Sequence, residues 1–296
     1  METIYRDYAP KGVKFYYLYK SLAHAELLGY VGPVTFEERL MHIREAKRTL
    51  GTAITWLCDT MTNDLKHAIG DASNSEYVLD PQGKIVRMRN WSQPAVLRKD
   101  LETLVGPVSK PTQIADLHLK VEPPPKNAPT GIVPRLKLEA KQFLPLKTQA
   151  QVAKSKQPFY AKLRAEGDLN LLRTGNGKVY LGFFLDPIYH VHWNNQVAPV
   201  QYEIVAPKGV SVSPAKAMGA KVKEPADADP REFLLEVNRG TTTEPIEMKL
   251  RYFACTDTWC TQLTQEYLVS WEVDRDGGWR LESGQLDPRA FTSRTK

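Results

Sequence analysis

The C-terminal half of the chain alternates between apolar and polar residues over many short stretches, which glycine- and proline-containing turns separate. A period of two is typical of half-buried β-strands. Seven or more such stretches predict an all-β domain of the immunoglobulin-like sandwich type, which we assign to residues 147–291. The predicted strands are residues 159–163, 179–185, 190–193, 202–206, 233–237, 246–253 and 263–273.

The N-terminal half, residues 1–106, shows helical and strand-like patterns in alternation and predicts an α/β domain. A strand is predicted at residues 13–19, and the apolar run 52–58 is typical of a strand buried inside a sheet. Between them, Thr35 and Glu38 form a capping signature for a helix that Gly51 ends. The pattern then predicts a short helix at 63–69, a hairpin with a turn at 80–83, and a helix from about Ser92 to 104.

Residues 107–146 are rich in proline and lysine and separate the two halves. Pro123, Pro124 and Pro125 are consecutive, so they favour an extended conformation and cannot continue a helix. We therefore predict a semi-rigid linker, of which residues 132–146 contribute an edge strand to one domain.

Composition narrows the function classes. The net charge of +6 is spread along the chain. The sequence contains no basic stripe with interleaved aromatic residues, so we do not expect a nucleic-acid partner. The sequence contains no run of eighteen apolar residues, and its first residues do not form an apolar signal-peptide core. We expect no transmembrane segment, no signal peptide in this chain and no cofactor.

Two cysteines, Cys255 and Cys260, lie four residues apart between two predicted strands, and therefore flank the turn of a predicted hairpin. Such a pair can brace the turn as a structural disulfide, and it can also react with a partner's thiol. Zinc is disfavoured because a zinc site usually needs four ligands and no second cysteine pair exists. Cys58 is interpreted as a buried core thiol because it ends an apolar run.

His190 and His192 offer a further candidate site. If residues 189–193 form a strand, both side chains project on one face, and a His-x-His pair can supply half of a copper or zinc site. The simpler interpretation is a pair of polar residues at a strand end. Metal binding through these histidines and the cysteines is our third hypothesis, and we expect no bound metal.

The N-terminal half resembles the deiodinase-like branch of thioredoxin-fold proteins, in KFYYLYKSLAH (residues 14–24), CDTMTN (58–63) and YVLDPQGKIV (77–86). The resemblance implies an incomplete thioredoxin-like domain, because the family's reactive cysteine or selenocysteine lies ahead of the strand that matches residues 13–19. Ser21 and Leu22 replace acidic residues of the family, and Ser75 replaces a substrate-contacting proline. We expect no redox catalysis from this half and a structural role for His24, which matches the family's histidine.

The C-terminal half resembles the N-terminal domain of the DsbD family of thiol:disulfide interchange proteins, in YHVHWNN (residues 189–195), VSVSP (210–214) and YFACTDTWC (252–260). In that family a cysteine pair in this late hairpin passes electrons between a membrane-bound or thioredoxin-like donor and periplasmic thioredoxin-fold acceptors. The resemblance implies that Cys255 and Cys260 are the catalytic pair, that the partner is a thioredoxin-fold protein, and that the compartment is periplasmic or otherwise extracytoplasmic. The familiar family member has one more residue between its cysteines.

These observations lead to a two-domain prediction with thiol–disulfide exchange as the leading function. Trp259 offers an apolar docking surface at the hairpin tip, or else plugs the core, and Asp257 would disfavour a nearby thiolate. The alternative is a non-catalytic interaction module in which the disulfide is only structural.

Overall fold

A computed structural model describes residues 1–23, 29–70, 72–122, 128–139 and 142–278. The chain divides into two compact units, one of Met1–Lys20 and Thr35–Pro124 and the other of Ser21–Val34 and Pro125–Lys296. Within the described ranges, no helix combines the length and the apolar character needed to cross a membrane.

The first unit contains helices and two small sheets. Its elements are α1 (Glu2–Tyr8), β1 (Tyr16–Tyr19), α2 (Phe36–Leu50), β2 (Thr55–Cys58), α3 (Asp64–Ile69), β3 (Glu76–Leu79), β4 (Ile85–Arg89) and α4 (Pro94–Val105). β1 and β2 pair in parallel, and β3 and β4 form a separate antiparallel hairpin. A small core forms where Ile4 and Tyr8 of α1 meet Leu97 and Leu101 of α4. After α1 the elements follow the predicted order, while the thioredoxin-like class remains a prediction.

The predicted signals at the two ends of α2 are confirmed. The Thr35 hydroxyl accepts a hydrogen bond from the Glu38 amide at 3.2 Å, and Gly51 ends the helix with a left-handed φ of 60°. The buried face of this helix includes a charged residue, because Arg39 is buried while Phe36 is exposed. Arg39 donates to the Thr60 carbonyl at 2.6 Å, so α2 holds the loop after β2 through a polar contact.

The prediction that residues 52–58 form a buried strand is wrong. β2 covers only four residues, Leu57 is 44% exposed and Cys58 is half-buried. Among the described strands β2 pairs with β1 alone, so its apolar run lacks the second neighbour that a buried sheet position has.

The second unit is built on one eleven-stranded sheet in which every strand pair is antiparallel. Its elements are β5 (Phe143–Ala150), β6 (Ala161–Asp168), α5 (Leu169–Thr174), β7 (Asn176–Leu185), β8 (His192–Asn194), β9 (Gln201–Val205), β10 (Ser211–Ser213), β11 (Lys216–Met218), β12 (Ala226–Asp227), β13 (Arg231–Asn238), β14 (Ile246–Cys255) and β15 (Cys260–Val273). The main strand order is β10-β13-β7-β6-β5-β15-β14-β8-β12, and β9 joins β14 to β11. The β-rich character predicted for the C-terminal half is confirmed.

β5 joins the two halves of this sheet. Its first residues pair with β6, and its last residues pair with β15. Side chains from the two halves meet in one core, where the Tyr252 hydroxyl accepts from the Ala161 amide at 3.1 Å and the rings of Phe183 and Tyr202 lie 6.4 Å apart. The expectation of an edge strand within residues 132–146 is wrong, because β5 begins only at Phe143 and has neighbours on both sides.

The predicted linker, residues 107–146, is hydrogen-bonded to the first unit in its first part and to the second unit in its later part. In the first unit, the Thr112 amide donates to Asp7 at 3.0 Å and Arg48 donates to the Glu122 carbonyl at 3.1 Å. In the second, residues 128–139 follow the surface near β13, where the Leu136 amide donates to Glu232 at 2.7 Å. The three consecutive prolines, residues 123–125, lie outside the described residues.

Candidate functional site

The β14–β15 hairpin carries the two cysteines at its tip. Ten residue pairs keep the two strands in register, and Cys255 lies directly opposite Cys260. The four-residue turn closes with a hydrogen bond of 2.8 Å from the Thr256 amide to the Trp259 carbonyl. The cysteines form a disulfide with their Cα atoms 4.0 Å apart, nearer to the ~4.5 Å of a non-hydrogen-bonded pair than to the ~5.5 Å of a hydrogen-bonded one.

The two sulfur-bearing residues differ in exposure. Cys255 is only 3% exposed because it ends the buried strand β14, whereas Cys260 begins β15 at the surface and is exposed. A thiolate of another molecule can therefore approach the disulfide from the side of Cys260.

The short strand β8 lies beside β14 and brings two polar side chains to the disulfide. His192 is directly opposite Cys255, and Trp193 is opposite Ala254. Because side chains alternate along a strand, His192 and Asn194 share the cysteine face while Trp193 points into the core. Trp193 is 3% exposed and donates from its indole to the Asp229 carbonyl at 2.7 Å, which holds β8 in place.

Asn194 contacts the exposed cysteine directly. Its Nδ2 donates to Cys260 Sγ at 3.4 Å, and its Oδ1 accepts from the Gln196 amide at 2.9 Å. Because the Gln196 amide donates to the side-chain oxygen of Asn194, the side-chain nitrogen Nδ2 is the atom that faces the sulfur. Sequence reasoning missed Asn194, although its position two residues after His192 on a strand was a usable signal.

A buried ion pair lies behind this strand. Arg231 donates two hydrogen bonds to Asp227, at 2.9 and 2.7 Å, and a third at 3.1 Å to Asn195. Burial opposes ionisation of Asp227, but the hydrogen bonds from Arg231 and Asn195 outweigh it and hold the pKa of this carboxyl below its usual range. The pair fixes β12 against β8, since Asp227 is the register partner of Trp193.

Trp259 combines the two roles considered for it. Its side chain is 40% exposed, yet its ring lies 5.7 Å from that of Tyr160, which in turn contacts Tyr189 at 5.0 Å. The indole is therefore anchored by an aromatic neighbour while one part of it remains available to a partner. Asp257 lies in the exposed turn.

A shallow pocket of about 380 Å³ opens between the hairpin turn and β8. Its walls include His192, Asn194, Trp259 and both cysteines. The disulfide thus forms part of the wall of an open surface depression.

The two candidate histidines are not brought together on a strand. The prediction of a strand from residue 190 is wrong, because His190 ends a turn of 3-10 helix with a left-handed φ of 53° and β8 begins only at His192. Within the ranges that the structure describes, no group of three or more His, Cys, Asp or Glu residues is placed to hold a metal ion.

Cys58 has a different environment from the paired cysteines. It is half-buried at the end of β2, and burial raises the pKa of its thiol. A raised pKa leaves less thiolate at neutral pH and so makes this thiol a poor nucleophile. His24 lies outside the described residues.

Comparison of the chain with models of protein families, with curated proteins and with solved structures finds no match. The likenesses to deiodinase-like and DsbD-like proteins therefore remain resemblances of short motifs, and the geometry of the site carries the functional argument.

Proposed function

We propose that this protein exchanges thiols and disulfides with a thioredoxin-fold partner through the Cys255–Cys260 pair. The observation that supports this most is the asymmetry of the disulfide at the wall of the pocket, where Cys260 is exposed while Cys255 is only 3% exposed. A disulfide that only braces a turn requires neither an open approach to one sulfur nor a donor directed at it.

The reaction follows from which sulfur is reachable. A partner thiolate attacks Cys260 Sγ, the Cys255–Cys260 bond breaks, and the electron pair passes to Cys255 Sγ, which takes a proton. The partner's second thiolate then attacks the partner sulfur of the mixed disulfide and releases Cys260 as a thiolate. The chain is thereby reduced and the partner oxidised, and the reverse sequence passes the two electrons to an acceptor disulfide.

His192 is suited to the proton transfer in the first step. Directly opposite residues of an antiparallel pair have Cβ atoms about 5 Å apart, and the His192 and Cys255 residues border the same pocket. Its Nδ1 donates to the Trp193 carbonyl at 3.1 Å, which orients the ring. Trp259, with 40% of its side chain exposed, supplies an apolar contact for the docked partner.

We place this activity in an oxidising, extracytoplasmic compartment, because disulfides persist there. The second unit is interpreted as an immunoglobulin-like sandwich, since two halves of one antiparallel sheet share a core. The first unit is interpreted as a thioredoxin-like domain without a redox centre, since its only thiol is the half-buried Cys58.

Trapping of the mixed disulfide tests the proposal. Cys255→Ser leaves Cys260 as the exposed thiol of the hairpin. The partner is a thioredoxin-fold protein that keeps only the first cysteine of its Cys-x-x-Cys motif, activated as a mixed disulfide with thionitrobenzoate, so attack by Cys260 should release thionitrobenzoate and leave a stable mixed disulfide. Cys260→Ser should trap at least about tenfold less, because the remaining thiol is buried. Non-reducing electrophoresis and peptide mass spectrometry measure both products, and failure of both variants to trap any complex would reject exchange.

The second candidate is a structural brace, which the burial of Cys255 favours. Titration in glutathione buffers distinguishes the two. Structural disulfides typically have reduction potentials below about −300 mV, and exchange-active ones have higher potentials.

A further inference from the structure

We propose that Asn194 stabilises the Cys260 thiolate and thereby makes Cys260 a better leaving group when the mixed disulfide with the partner is resolved. This inference rests on the proposed function, because a thiolate appears at this position only when the disulfide is opened. It assigns a specific electrostatic role in the reaction to a residue outside the cysteine hairpin.

The first observation is the contact itself. The Asn194 Nδ2 lies 3.4 Å from Cys260 Sγ, within reach of a hydrogen bond to sulfur. Sulfur accepts weakly when it belongs to a disulfide and more strongly as an anion, so the same amide gains more from the thiolate than from the oxidised pair.

The second observation is that the amide is held before the reaction takes place. The Gln196 amide donates to Oδ1 of Asn194 at 2.9 Å, and the neighbouring Asn195 side chain is anchored to Asp227 at 2.7 Å. A donor that is already oriented toward the developing charge need not reorganise when the charge appears.

The third observation is the lack of a competing cation in the turn. The residues between the cysteines are Thr256, Asp257, Thr258 and Trp259, and none of them is basic. The turn itself therefore offers no positive side chain to the thiolate, and the Asn194 carboxamide is the side-chain group that donates to this sulfur.

The chemical consequence concerns the second step of exchange. A thiol that ionises more readily is the better leaving group, so the mixed disulfide at Cys260 resolves faster. The stabilised thiolate also favours the reduced form of the pair over the disulfide.

The test measures Cys260 alone, in the full chain carrying Cys255→Ser. The rate of its alkylation by iodoacetamide is followed from pH 5 to 10 by mass spectrometry of the Cys260 peptide, which separates it from Cys58. Asn194→Leu should move the midpoint of this pH profile up by about one pH unit, the size expected for losing a hydrogen bond to an anion. At pH 7 the alkylation rate should fall about threefold, because part of the lost thiolate is offset by a more nucleophilic one.

Gln196→Leu is the matched control. It removes an amide from the wall of the same pocket but keeps the backbone N–H that orients Asn194, so the midpoint should not move. Asn194→Asp provides a second variant in case Asn194→Leu does not fold, and its negative charge should shift the midpoint further upward than Leu does.

An unchanged midpoint in a folded Asn194→Leu or Asn194→Asp variant would overturn the inference, and so would an equal shift in Gln196→Leu. The measurement needs no protein partner. A shifted midpoint without trapping of a thioredoxin-fold protein would therefore support the role of Asn194 and reject the exchange partner.

Discussion

At the scale of single residues, a buried ion pair determines where the polar face of β8 lies. Asp227 and Arg231 are at most 5% exposed, and their two hydrogen bonds tie β12 and β13 to the strand that carries His192 and Asn194. Removing one partner of such a pair leaves an uncompensated buried charge, which is far more costly than losing a surface pair.

Asp227→Asn should lower the free energy of unfolding at pH 7 by about 3 kcal/mol, because Arg231 then loses its buried counter-charge. The pKa of Asp227 is depressed in the folded protein, so the stability that it contributes is present above about pH 4 and is lost as the pH falls through the lower folded value. Urea unfolding from pH 2 to 7 should therefore show a shallower acid loss of stability in the variant than in the parent.

Glu203→Gln is the control for removing one carboxylate. Its pair with Lys216 spans 3.9 Å between two half-exposed side chains, so the change should stay below about 0.5 kcal/mol. Equal urea midpoints for Asp227→Asn and the parent at every pH would contradict the assignment.

At the scale of elements, two carboxylates hold the segment 128–139 against the second unit, Asp229 at its start and Glu232 at Leu136. Asp229 is 5% exposed and accepts from the amides of Gly131, Ile132 and Val133 at 2.7, 2.6 and 2.8 Å. Three charge-assisted bonds from consecutive amides replace the strand pairing that this proline-flanked segment lacks.

Asp229→Ala should free the amides of residues 131–133 and loosen the segment, which makes the peptide bonds after Arg135 and Lys137 more accessible to trypsin even though Glu232 still holds Leu136. We expect cleavage there to become at least about tenfold faster, since proteolysis follows the population of the opened segment. Time-resolved digestion with mass spectrometry locates the cuts. Asp257→Ala, which removes an exposed carboxylate from the hairpin turn, should leave the rate unchanged, and equal rates in both variants would show that Asp229 does not hold the segment.

At the scale of the whole molecule, the disulfide adds little to a sheet that is already extensive. Ten register pairs hold β14 to β15, and both strands have further neighbours in the eleven-stranded sheet. Chain entropy assigns a disulfide that closes so short a loop about 2 kcal/mol.

Reduction of the disulfide should therefore lower the free energy of unfolding of the second unit by about 2 kcal/mol and leave it folded. The double variant Cys255→Ser/Cys260→Ser should show the same loss without reductant and no further loss with it. Cys58→Ser, which keeps the disulfide, should lose as much on reduction as the parent. Chemical denaturation followed by circular dichroism measures these changes. Collapse of the β-sheet signal on reduction would favour the structural brace instead.

Short-range features of the chain could be predicted from the sequence. Thr35 and Gly51 mark the ends of α2 because a helix cap and a left-handed backbone conformation depend on the residue itself and its near neighbours in the sequence. Alternation located β14 and β15, and with them the hairpin that carries Cys255 and Cys260.

The tertiary structure decided the neighbours and the exposure of these elements. Alternation shows that a strand has two faces, but strand order depends on long-range pairing, which is why β5 was expected at an edge and lies inside the sheet. Long-range packing also placed His190 at the end of a 3-10 turn, apart from the strand that carries His192. It brought Asn194 next to Cys260, which is 66 residues away in the sequence. The sequence by itself determined that two cysteines face each other across a turn. Only the packing of β14 into the core made Cys255 buried and left Cys260 exposed. The exposure of a residue depends on which elements pack against it, and the spacing of residues along the chain does not contain that information.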